Sequence, residues 1–145
     1  MTATVIDRER RLEAISLASS GLLEELADEV LQTLDVEVSR GPTIGLLMVR
    51  VEEPSERRRF NFTEVTVSEA EVTAAGHRGY AMVIGRAPDK ALAGAILDAA
   101  LESGHPASSA IEEQLATVLL EEEQRQAAAW AKVGPTRVRF EEMAP

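Results

Sequence analysis

The apolar residues of this chain change their spacing twice, and that change limits what it can fold into. Across residues 7–34 they recur at helical intervals: Leu12 and Ile15, then Leu23, Leu26, Ala27, Val30, Leu31 and Leu34. Ser19-Ser20-Gly21 interrupts the stripe, so two helices are expected, the second capped by Ser20. From Thr43 the apolar residues follow a strand's alternation. Leu47, Val49 and Val51 share one face while Leu46 and Met48 share the other. With both faces apolar, this strand should be covered on both sides. The short strand Val36–Val38 precedes it across Gly41-Pro42. A strand from Arg58 to about Val67, its register continuing to Val72, and another over Tyr80–Ile84 follow, with the turn at Gly76-His77-Arg78-Gly79.

Helical spacing then returns. Pro88 suits the first position of a helix carrying Leu92, Ala95, Ile96 and Ala99 and ending near Gly104-His105-Pro106. A further helix carries Ile111, Leu115, Val118 and Leu119, passes Trp130, and stops near Gly134-Pro135. A last strand, Arg137–Phe140, is expected after it. Strands clustered between helix pairs predict an α+β fold with a mainly antiparallel sheet of about four to five strands flanked by helix pairs. The 145 residues make a single domain, 1–145, because no linker or repeat divides them. Aromatic residues are only 3% of the chain, so the core must be Leu, Val, Ile and Ala.

The formal net charge is −10, which repels nucleic acid and anionic lipid. There is no cysteine, so this chain holds neither a thiolate-ligated iron–sulfur cluster nor a thiol nucleophile. Met1 to Arg11 is charged and has no apolar h-region, so no secretory signal is expected. No apolar run approaches the roughly 20 residues of a membrane span. A cytoplasmic protein without membrane or nucleic-acid partners is the expectation.

No strong catalytic motif is present, and catalytic residues stay unknown at this stage. His77 and His105 lie far apart in predicted turns and read as solvated, with no metal site expected. Glu64 falls on an apolar strand face, on the same side as Phe60 and Phe62, and needs a partner. An Arg within the chain is the favoured partner, with an interface or site role as the alternative. Arg86 follows a strand and Gly85 and precedes a helix N-terminus, where unpaired N–H groups attract anions. An ion pair or interface contact is favoured for it over an anion contact. The Arg57–Arg59 run reads as a solvated strand edge.

Three blocks carry a resemblance. Phe60-Asn61-Phe62-Thr63-Glu64-Val65-Thr66-Val67 through Val72 is similar to an aromatic-polar strand pattern in which Thr63 stands where a glycine is expected. Gly79-Tyr80-Ala81-Met82-Val83-Ile84-Gly85-Arg86 looks like a G-Y-x-x-x-x-G-R block. Thr136-Arg137-Val138-Arg139-Phe140-Glu141-Glu142-Met143 resembles a T-R-V-x-F-x-x-M ending. In this order they resemble the G-subunit family (PhnG) of the bacterial carbon–phosphorus lyase system. The resemblance implies a complex in which subunits G, H and I, with the ATPase-like subunit L, attach a phosphonate to C1′ of ATP and displace adenine. Subunit J then breaks the carbon–phosphorus bond. It implies tight packing against subunit I, ATP as a substrate of the assembled complex, no cofactor on this chain, and no activity for the chain alone. Glu64, Gly79, Tyr80, Gly85, Arg86 and Arg137 match the family pattern and are carried as ligand or interface candidates. The competing readings are an independent enzyme acting on a phosphorylated ligand and a homo-oligomeric scaffold or ligand-binding protein unrelated to phosphonates. A homodimer of the isolated chain is also expected.

Overall fold

The computed structural model describes residues 6–138. The first helix, α1 (Arg8–Leu17), starts where the Asp7 carboxylate accepts from the Arg10 N–H at 2.8 Å. The second, α2 (Ser20–Leu31), is capped one residue earlier than expected, because the Ser19 hydroxyl accepts from Leu22 N–H. Three antiparallel strands follow in spatial order β1-β2-β3: β1 (Val36–Glu52), β2 (Arg59–Ala74) and β3 (His77–Ile84). Two more helices complete the described chain, α3 (Pro88–Ser103) and α4 (Ser108–Val133), and a 3-10 turn at Gly134–Thr136 follows α4.

The fold class is α+β and antiparallel, but among the described residues the sheet has three strands, not four or five. Two expected strands, Val36–Val38 and Thr43–Val51, are one. The pairing of β1 with β2 absorbs Gly41-Pro42 as register shifts between Val38 and Thr43 without a break. The expected strand Arg137–Phe140 is not formed at Arg137 and Val138, and its other two residues lie outside the described part. The β2–β3 turn is tighter than expected. Ala75 (φ 47°) and Gly76 (φ 77°) both take left-handed backbone, the geometry of a two-residue hairpin.

Helix α3 is the centre of the molecule. Every residue from Ala93 to Leu101 is buried, as is Ala91, so it is enclosed on all sides and not merely on one stripe. It packs on β2 and β3, with α2 against it, while α1 bridges β3 and α4. The approach is close because the contact residues are small. A Cβ on Gly79 would stand 2.1 Å from the Ala95 carbonyl oxygen, and one on Gly94 would stand 2.4 Å from Ile15 Cγ2. Ile15, Leu23, Leu97, Ile111 and Leu115 fill the rest, each contributing about 1.5–3 kcal/mol by leaving water.

The sheet outgrows its helices. Along β2, Ser68, Ala70, Val72 and Ala74 are buried towards α3, but everything from Arg59 to Glu64 is exposed. With β1 from Leu46 onwards this forms a two-stranded arm, roughly 25 Å long at about 3.3 Å per residue. The expectation that strand Thr43–Val51 is covered on both faces is not met among the described residues. Helix α3 covers the sheet only as far as Ser68, and no other described element lies over the arm.

Candidate functional site

Two places on the described surface concentrate polar or apolar side chains that could act on something. The first is a knot of charge beneath β3. Asp98 of α3 is fully buried, and its carboxylate accepts from Arg11 at 2.9 Å, from Arg8 at 2.7 Å and from the Tyr80 N–H at 3.0 Å. Arg11, also buried, spans from Asp98 to Glu102 at 2.6 Å. The Arg8 guanidinium is held above its ordinary range by its hydrogen bond to Asp98. An open depression of about 600 Å³ lined by Arg8, Glu9, Leu12, Arg78 and Tyr80 lies over this knot. Arg78 is paired with Glu71 at 2.5 Å. The cations around the depression are thus already matched by carboxylates. The knot ties α1, β3 and α3 together and offers no free anion site.

On the open face of the sheet beside it, the Tyr80 hydroxyl donates to Glu69 at 2.9 Å, and Arg40 pairs with the same carboxylate. The phenol is pushed up, first by burial and then by the Glu69 carboxylate. Gly79 and Tyr80 therefore have structural reasons to be where they are. Gly79 admits α3, while Tyr80 brings its backbone to Asp98 and its ring to Glu69.

The second place is the base of the arm. Gly85 (φ 96°) turns the chain out of β3 after its N–H donates to the Thr66 carbonyl at 2.7 Å. Ser68, fully buried, clasps this loop. Its hydroxyl donates to the Gly85 carbonyl at 2.7 Å and accepts from the Ala87 N–H at 2.9 Å. That second bond supplies the α3 N-terminus with the cap its own Ala87 lacks. Arg86, between the two clasped residues, is exposed, and among the described residues it has no ion pair. Glu64, two residues from Thr66 along β2, is exposed and likewise has no Arg partner among the described residues. The intrachain partner expected for it is absent there. A register shift between Thr63 and Asn61 also interrupts the alternation used to align it with Phe60 and Phe62.

Along the arm and at its base both faces are apolar. Ile44, Leu46 and Met48 line the face towards the helices, and Leu47, Val49 and Val65 line the other. Leu46 and Phe62 are each 67% exposed, and Ile84 beside the arm's base is 74% exposed. The distal half of α4 is similar. From Glu123 to Val138 every residue is exposed, and Gln126, Ala129, Trp130 and Val133 form a stripe along it.

The structure thus gathers Glu64, Gly85 and Arg86 near the arm's base and Gly79 with Tyr80 around Asp98. Arg137, exposed after the 3-10 turn, follows α4 and has no described contact with either group. Sequence reading missed Ser68 and Asp98. Asp98 was findable as a lone carboxylate inside an Ala-rich apolar helix, whereas nothing distinguished Ser68 from a surface serine. It also misread His105 as solvated. His105 Nδ1 accepts from the Ala107 N–H at 3.1 Å, and Nε2 lies 2.8 Å from the Thr33 hydroxyl, joining α2 to the start of α4. Among the described residues no group of three or more His, Asp or Glu could hold a metal ion, and no helix is long and apolar enough to cross a membrane.

Residues 6–144 match the family model described as phosphonate metabolism protein PhnG. The chain is 35% identical over 141 residues to the alpha-D-ribose 1-methylphosphonate 5-triphosphate synthase subunit PhnG of Rhizobium meliloti strain 1021, covering 95% of this chain and 88% of that protein.

Proposed function

The chain belongs to the PhnG family of phosphonate metabolism proteins, and from that premise we propose that it is a subunit of a ribose 1-methylphosphonate 5-triphosphate synthase. In that reaction a phosphonate oxygen bonds to C1′ of ATP as the C1′–N9 bond breaks. Adenine leaves with the bonding pair and takes up a proton. The observation that carries the reading is 35% identity across 95% of the chain to a protein bearing that subunit's name.

The chain serves the complex as an accessory and assembly subunit in the cytoplasm. Its arm and the end of α4 present apolar surface that its own core leaves bare, which suits a chain completed by others. Its partners are subunits H and I, with the ATPase-like L for the synthase step and J for the step after it. Subunit I is the one it packs against most closely. ATP is a substrate of the assembly, and this chain carries no cofactor. Glu64, Gly85 and Arg86 belong to its docking surface, Gly79 and Tyr80 hold that surface in place, and Arg137 extends the contact beyond α4.

Adenine release from ATP and methylphosphonate tests this directly. The reconstituted complex should require the chain, and the chain alone should release none. Full activity in a complex lacking the chain would overturn the subunit reading. Adenine from the isolated chain would overturn its accessory role.

A further inference from the structure

Strand β3 leaves its lane early. It pairs with β2 only between Val67 and Ala74, and then Gly85 turns the chain away. Beyond that point β2 continues from Thr66 to Arg59 with β1 along one side and, among the described residues, nothing along the other. The Thr66 carbonyl, bonded to Gly85 N–H, points to the β3 side. In an antiparallel strand, backbone groups point to alternate sides residue by residue. The N–H and C=O of Glu64 therefore point into the empty lane as well. Neither proline nor lysine guards residues 59–66, while the outer edge of β1 carries Pro42 and two register shifts. Those are the devices that keep an edge from pairing; β2 has one of them, the register shift that leaves Phe62 unpaired, and from Thr63 to Thr66 its edge is free of them.

Resting on the subunit reading above, we infer that this vacant lane takes an extended strand from a different subunit, which also covers both faces of the arm. A second copy of this chain fits less well. Two arms laid edge to edge would make a wider ribbon, doubling the exposed apolar face instead of covering it. Charge describes the partner further. Arg50, Arg57, Arg58 and Arg59 balance Glu52, Glu53, Glu56 and Glu64 on the arm, so the net −10 lies on the rest of the chain. The partner therefore offers an apolar, strand-bearing cleft to the arm, with basic groups at its rim towards the acidic body. At roughly 25 by 10 Å per face, the arm supplies about 500 Å² from its two faces. Its edge and tip bring that towards the about 800 Å² per partner of a stable interface.

The test co-expresses the chain with the other subunits of its synthase as wild type, Glu64→Pro and Glu64→Thr. Proline at position 64 removes an N–H that makes no bond to β1, so the hairpin survives, and thermal melting of the isolated variants verifies that. Threonine keeps the N–H. Glu64→Pro should co-purify about tenfold less than Glu64→Thr, a pair that differs in the N–H and not in the lost carboxylate, and the Glu64 amide should exchange its hydrogen more slowly in the complex than in the isolated chain. Equal recovery of the Pro variant with an unprotected amide would overturn strand addition while leaving the subunit reading intact. An isolated-chain dimer abolished by Glu64→Pro would overturn it in favour of a second copy. Failure of the wild type to co-purify with any other subunit would overturn both.

Discussion

Tyr80 is the single tyrosine of the chain, so its ionisation can be read without interference. Its hydroxyl donates to Glu69, and burial and that carboxylate together push its titration up. A raised folded pKa means that the native state holds the proton more firmly than the unfolded chain does. The stabilisation is complete below the unfolded value, near 10, and is lost as pH rises through the folded one. Absorbance titration of the tyrosinate should give a higher midpoint in the native protein than in urea. Glu69→Gln should lower it part of the way, because burial, the larger cause, remains. A native midpoint equal to that in urea would contradict the packing described for the open face.

Between elements, the decisive tie is Asp98. It joins α3 to α1 through Arg8 and Arg11 and to β3 through the Tyr80 N–H. Removing it orphans a buried guanidinium whose Nε already has no partner. Asp98→Ala should cost about 3 kcal/mol in urea unfolding, the lower end of the cost of breaking a buried pair, since Glu102 still holds Arg11. A loss under about 1 kcal/mol, the scale of an exposed pair, would show that the knot is wetter than the geometry implies. Lys90 ties the same helices at the other end. Its ammonium donates to the Ser16 carbonyl in the last turn of α1 at 2.7 Å, and burial pushes its titration down. It gains the favourable end of the helix dipole but no carboxylate.

At the scale of the molecule, the compact part is α1, α2, α3, the inner ends of the strands and the first half of α4. Two elements extend past it, the β1–β2 arm and the end of α4. The single tryptophan, Trp130, lies on the second and is 72% exposed. In the isolated chain its fluorescence should be quenched by acrylamide nearly as fast as that of free tryptophan. In the assembled synthase quenching should be much slower, if the end of α4 is a partner surface. Equal quenching in both would restrict the interface to the arm.

The helices and the antiparallel character of the sheet were legible from spacing alone, because hydrophobic period is a local property, whereas the turn before β3 was placed over Gly76–Gly79 and lies at Ala75-Gly76. The apolar pairing of both faces over Leu46–Val49 was legible too, and it signalled cover that has to come from somewhere. What covers a strand is not local. That depended on how far α3 reaches along the sheet, and α3 ends its support near Ser68, so the arm stands bare. The merging of Val36–Val38 with Thr43–Val51 was likewise decided by partner strand β2, whose unbroken Arg59–Ala74 run holds both halves across Gly41-Pro42. Asp98 could be noticed in the sequence as a carboxylate in an apolar helix. Only the tertiary structure brings Arg8 and Arg11, some ninety residues earlier, to meet it. Burial of a charge is decided by which elements converge on it, and no window along the chain contains them.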